Sequence, residues 1–139
     1  MRVIFALIGI MMISLFSCHK SESEDVTFKN MINDSTTMEE DVAFLNKLYL
    51  EIQTIANSVP CSNPEEWKFI PLGNKACGGP NEFIAYNIKI DEAAFLAKTD
   101  YYTRQQTIFN EKWGIISDCS LPPSPKGVIC ENNKPQFFY

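Results

Sequence analysis

The first eighteen residues constrain the rest of the chain most, because they decide the compartment in which it folds. Met1 and Arg2 give a short basic start, residues 3–16 form an uncharged run of fourteen, and Ser17 places a small residue before Cys18. This is the three-part plan of a secretory leader. As a helix the run would rise only about 21 Å, short of the ~30 Å hydrocarbon core, so the sequence predicts a segment that is removed rather than one that spans. Export delivers the remainder to an oxidising compartment, where its other cysteines can pair.

Leu15, Ser17 and Cys18 fall at the spacing of the bacterial lipoprotein lipobox, which this stretch resembles, with Phe16 bulkier than the residue usually found between them. The resemblance implies cleavage after residue 17, diacylglycerol on the Cys18 thiol and a fatty acid on the new amino terminus. Two or three such chains, at ~0.8 kcal/mol per buried CH₂, anchor a protein without a spanning helix. The expected address is the cell envelope, lipid-anchored to the outer membrane on its periplasmic face or at the cell surface.

Residues 18–33 are polar and acidic and predict a flexible tether, followed by a single globular domain over 34–139. Within the tether, Ser21-Glu22-Ser23-Glu24-Asp25 resembles the surface-export signal of lipoproteins from Bacteroidetes-type bacteria, although a solvated linker has the same composition. The chain carries 12 Lys and Arg against 17 Asp and Glu, and loss of Arg2 makes the remainder one unit more negative. Nucleic acid is therefore not an expected partner, since phosphates require a basic stripe.

In the domain, Thr37-Met38-Glu39-Glu40 fits a capping box. Val42, Leu45, Tyr49, Ile52, Ala56 and Val59 follow at steps of three and four, with Phe44, Leu48 and Ile55 beside them, which predicts an amphipathic helix over 38–58 ended by Pro60. A second helix of matching length opens at Asp91 and ends at Gly114, with Phe95, Tyr102, Phe109 and Trp113 on one face. Residues 67–70 and 82–88 alternate as short strands, and residues 127–130 and 136–139 flank Asn132-Asn133 as a hairpin whose last strand Pro135 confines to an edge. The expected fold class is α+β, mainly α: two long amphipathic helices packed together, with short strands and loops held by two disulfides.

With Cys18 assigned to lipid, Cys61, Cys77, Cys119 and Cys130 remain, an even number that predicts two crosslinks worth about 4 kcal/mol each. Of the three possible pairings, Cys77 with Cys119 and Cys61 with Cys130 is the one expected. Structural zinc is not expected, because the spacings are long and no Cys-x-x-Cys pair exists. No cofactor is expected either. A catalytic thiol would lack a base, since the single histidine, His19, adjoins the anchor.

Residues 71–80, Phe83-Ile84-Ala85-Tyr86 and Ser117-Asp118-Cys119 resemble a module of small uncharacterised bacterial lipoproteins, with Cys77-Gly78-Gly79-Pro80 as its most specific element. The resemblance spans residues 60–130 and implies a disulfide-held extracytoplasmic domain, with no particular activity. Gly78-Gly79 permits a sharp turn, and Pro80 fixes its exit. No phosphate loop is present, because the Lys-Ser/Thr pair and the following helix are missing.

Enzymatic function is not expected. Glu39, Glu40, Asp91 and Glu92 are accounted for as helix caps, Glu65 and Glu66 as solvated, and Asp118 as a turn former. The expected function is a binding or inhibitor-type module that presents the loop containing Lys75, Gly78, Gly79 and Pro80 to an extracytoplasmic protein, or to a glycan stacked on Trp67 or Trp113. A structural envelope role is the alternative. Intact mass of the protein taken from its native membrane should exceed the polypeptide mass by the acyl groups, and Cys18→Ala should abolish that excess.

Overall fold

The computed structural model describes residues 32–139. The leader, Cys18 and the tether through residue 31 lie outside the described residues. In chain order the elements are α1 (Met38–Ala56), a 3-10 turn (Pro64–Glu66), β1 (Trp67–Leu72), β2 (Glu82–Asn87), α2 (Glu92–Lys112), β3 (Gly127–Glu131) and β4 (Lys134–Phe138). The strands form two separate antiparallel pairs, β1 with β2 and β3 with β4. The architecture is α+β.

Helix α1 begins where the capping box predicts. Glu40 N–H donates to Thr37 Oγ1 at 3.2 Å, and Thr37 N–H donates to Glu40 Oε2 at 2.8 Å. The helix ends at Ala56, two residues before the expected stop, with Asn57 as its cap. Helix α2 is capped by Asp91, whose Oδ1 accepts from Ala94 N–H at 3.0 Å, and Gly114 takes a φ of +58° just beyond its end.

The buried faces differ from the apolar stripes of the sequence. In α1 they comprise Asp41, Leu45, Leu48, Ile52 and Ala56, while Val42 is 40% exposed. In α2, Thr99 and Gln105 are buried beside Phe95, Tyr101 and Tyr102. Each of these polar side chains has a partner: Thr99 Oγ1 donates to Leu96 O at 2.9 Å, and Gln105 Oε1 accepts from Ile32 N–H at 3.4 Å.

The helices alone do not make the main core. Leu72, Ile84 and Tyr86 of the first hairpin join Leu45, Leu48, Ile52, Phe95, Tyr101 and Tyr102 in one cluster. The Tyr86 ring lies 4.9 Å from that of Phe95, and its hydroxyl donates to Glu92 Oε1 at 2.7 Å. A hairpin with an apolar face cannot stand alone in water, so it is drawn over the helix pair.

A second cluster gathers Cys61, Trp67 and Val128, with Phe69, Ala85, Cys130 and Phe137 against it. Here the disulfide Cys61–Cys130, with Cα atoms 5.2 Å apart, ties the chain after α1 to the last hairpin. Asn132 and Asn133 both take positive φ, as a two-residue hairpin turn requires, and β4 is an edge strand in which Pro135 faces Cys130. Among the described residues no helix is long and apolar enough to cross a membrane.

The start of the domain is fixed by a buried ion pair. Asp41, 1% exposed, accepts from Lys112 Nζ at 2.7 Å, Trp113 Nε1 at 2.9 Å and Thr36 Oγ1 at 2.5 Å. Lys112 Nζ also donates to the carbonyls of Asn33 and Thr36, each at 2.7 Å, and sits 4.6 Å from the Trp113 ring centroid. Ile32 is buried in the main core. Ile32 and Asn33, expected at the end of the tether, are therefore part of the packed body.

Burial alone would raise the Asp41 pKa, but the hydrogen bonds from Lys112, Thr36 and Trp113 outweigh it and hold the carboxyl below the usual carboxylate range. A lowered folded pKa contributes stability that is full above the unfolded value of about 3.9 and is lost as pH falls through the folded value. Urea unfolding should show Lys112→Met less stable by about 3–5 kcal/mol at pH 7, because the carboxylate stays buried without its partner. Asp41→Asn should also be destabilised at pH 7, with a deficit that shrinks below about pH 4.

Candidate functional site

The loop between β1 and β2 runs from residue 73 to 81 and is laid against α2 by a polar stripe on that helix. Gly73 N–H donates to Thr103 Oγ1 at 3.2 Å, and Asn74 N–H donates to Gln106 Oε1 at 2.8 Å. Asn74 Nδ2 donates to Thr107 Oγ1 at 3.0 Å, and Asn110 Nδ2 donates to Asn74 O at 2.8 Å. Residues 103, 106, 107 and 110 recur at helical spacing, so one face of α2 supplies what an irregular loop lacks, namely partners for its backbone.

At its tip the loop turns on Gly78 and Gly79, with φ of +91° and +84°. Lys75 N–H donates to Gly79 O at 2.8 Å, and Gly78 N–H donates to Lys75 O at 2.9 Å. A side chain at position 79 would meet Leu121 Cδ2 at 2.3 Å, whereas one at position 78 would meet nothing within 4 Å. Gly79 is therefore a point of close approach between two chain segments, and Gly78 serves the turn alone.

The second segment, residues 115–121, is fastened to this loop by the disulfide Cys77–Cys119, whose Cα atoms are 5.7 Å apart. Lys75 Nζ adds a bond to Asp118 Oδ1 at 2.8 Å and one to Ser120 O at 2.5 Å. With only 18% of its side chain exposed, Lys75 acts as an internal clasp between the two segments. The hydrogen bond from Lys75, with those from Ser120, pulls the Asp118 carboxyl down to about 2. Ser117 Oγ, the one hydrogen carrier of the pair, lies 2.9 Å from Cys77 Sγ and donates to it.

Clamped in this way, the second segment still presents Ile116 at 93% exposure and Leu121 at 63%. A rigid segment that holds aliphatic side chains in water has the chemistry of a protein-binding surface. Beside it a cleft of about 350 Å³ opens between α1, α2 and the loop, bordered by Asn46, Asn74, Asn81, Tyr102, Gln106 and Asn110. A larger groove of about 640 Å³ follows the outer face of α1 past Ala43, Leu50 and Ile55 to the Glu51–Lys98 ion pair, but few polar groups converge there.

The structure thus brings together Lys75, Cys77, Gly78, Gly79, Pro80 and Cys119, and sets Cys61 and Cys130 apart in the second cluster. Cys18 lies outside the described residues. Neither tryptophan is a free platform for a sugar ring. Trp67 is 7% exposed, and Trp113 binds Asp41 with its Nε1 while the Lys112 ammonium lies over its ring.

Ile116 and Leu121 carry no pattern that marks them in the sequence, because they belong to no periodic element. The docking stripe Thr103, Gln106, Thr107 and Asn110 was missed by the sequence reading, although these polar positions recur at steps of three and four. Among the described residues, no three His, Cys, Asp or Glu side chains gather as a metal site would require. No protein-family model matches the chain, and neither a curated protein nor a solved structure matches it.

Substitutions at the two glycines should separate close approach from turn geometry. Gly79→Ala should lower stability by about 1–2 kcal/mol in urea titrations, with Gly78→Ala closer to 1 kcal/mol, since the second incurs only the backbone cost of positive φ.

Proposed function

We propose that this protein is a lipid-anchored extracytoplasmic binding module, of the inhibitor type, that presents residues 115–121 to a protein partner in the envelope or outside the cell. The observation that carries this reading is the 93% exposure of Ile116 on a segment held by Cys77–Cys119 and by Lys75. Ordering a flexible loop on binding costs affinity, and a loop already fixed avoids most of that cost. Ile116 and Leu121 are the anchors that would enter apolar pockets. The net negative charge of the chain agrees with a basic partner surface.

The pair of disulfides supports an oxidising compartment, and the lipobox resemblance at Cys18 supports the tether.

Photo-crosslinking from position 117 in the native envelope should give one saturable protein adduct. Ile116→Asp should reduce it at least about tenfold while circular dichroism stays unchanged, because a carboxylate replaces the anchor. An adduct that survives Ile116→Asp undiminished would rule out this surface.

A further inference from the structure

We propose that Cys77–Cys119 is a thiol-exchange site, opened by a dithiol reductant while Cys61–Cys130 stays closed. Exchange begins when a thiolate reaches a disulfide sulfur, so access decides which crosslink reacts first. Cys77 and Cys119 are both exposed. Cys61, by contrast, is 2% exposed and packed with Trp67 and Val128, with Cys130 half-buried beside them.

The two sulfurs have different roles. The Ser117 hydroxyl, 2.9 Å from Cys77 Sγ, donates to that sulfur and would go on donating to it as a thiolate, which makes Cys77 the better leaving group. Attack then falls on Cys119 Sγ. The carboxylate of Asp118 next to it would repel an incoming anion, but Lys75 Nζ at 2.8 Å compensates its charge. Cys119 also holds a φ of +55°, an unfavourable conformation for a non-glycine residue, and cleavage frees it to relax.

The first thiolate of the reductant bonds to Cys119 Sγ as the Cys77–Cys119 bond breaks and Cys77 keeps the electron pair. The second thiolate then bonds to the first sulfur of the reductant and displaces Cys119. Two protein thiols and one disulfide on the reductant result, with two electrons transferred and both protons coming from the dithiol. Opening removes the covalent tie between the loop at residues 73–81 and the segment at 115–121, and leaves the Lys75 clasp to hold them. On the reading above, the redox state of this pair then governs how rigidly Ile116 is presented, whereas the exchange itself rests on geometry alone.

The test is a dithiothreitol titration of the purified full-length protein at pH 7, with thiols trapped by alkylation and located by peptide mass. Cys77 and Cys119 should be labelled at about tenfold less reductant than Cys61 and Cys130. Protease cleavage near Ile116 should appear in the same step, while near-ultraviolet circular dichroism persists. Ser117→Ala should slow that first opening by about threefold and leave Cys61–Cys130 unaffected. Simultaneous opening of the two pairs, or earlier opening of Cys61–Cys130, would overturn the proposal, whereas an opened Cys77–Cys119 with residue 116 still protected would overturn only its control over how Ile116 is presented.

Discussion

A carboxylate in the first turn of α1 is buried against the last turn of α2, and much of the domain is organised around it. Asp41 takes hydrogen bonds from Lys112, Trp113 and Thr36, while Lys112 also reaches the carbonyls of Asn33 and Thr36. Three chain segments are thereby fixed at one point: the irregular segment that leads into α1, the start of one helix and the end of the other. A buried ion pair adds little net stability compared with an apolar contact of equal size, but an unpaired one is costly. Its effect is to select one arrangement of the helices, because sliding either by a turn would strand a charge.

Once that arrangement is set, α2 serves two neighbours. One face enters the main core through Phe95, Tyr101 and Tyr102, and another offers Thr103, Gln106, Thr107 and Asn110 to the loop between β1 and β2. The loop has no regular structure of its own, so its backbone groups need these side chains. A helix that contributes to the core is thus also the bed on which the loop at residues 73–81 rests.

The two crosslinks divide along the same line. Cys61–Cys130 sits under Trp67 and Phe137 and joins the last hairpin to the body, as part of a packed apolar cluster. Cys77–Cys119 lies at the surface and joins two irregular segments that few backbone hydrogen bonds secure. In the chain-entropy view both restrict the unfolded chain, by loops of 69 and 42 residues.

The sequence by itself determined the elements and their boundaries to within a few residues, because caps, glycines, prolines and the periods of two and of three to four act locally. Thr37 with Glu40, Asp91 with Ala94, Gly114 and Asn132-Asn133 all stand where their chemistry placed them. The even set of four cysteines likewise indicated two crosslinks. Tertiary structure decided what no local rule encodes: that Asp41 and Gln105 are buried while Val42 is exposed, that the first hairpin completes the core, that Trp67 and Trp113 are occupied, and that Ile116 stands in solvent. Burial and partnership of a side chain depend on segments distant in the chain, such as Lys112 for Asp41 and Ile32 for Gln105. Hydrophobic periodicity reports only which face a residue shares, and is silent about what arrives to cover it.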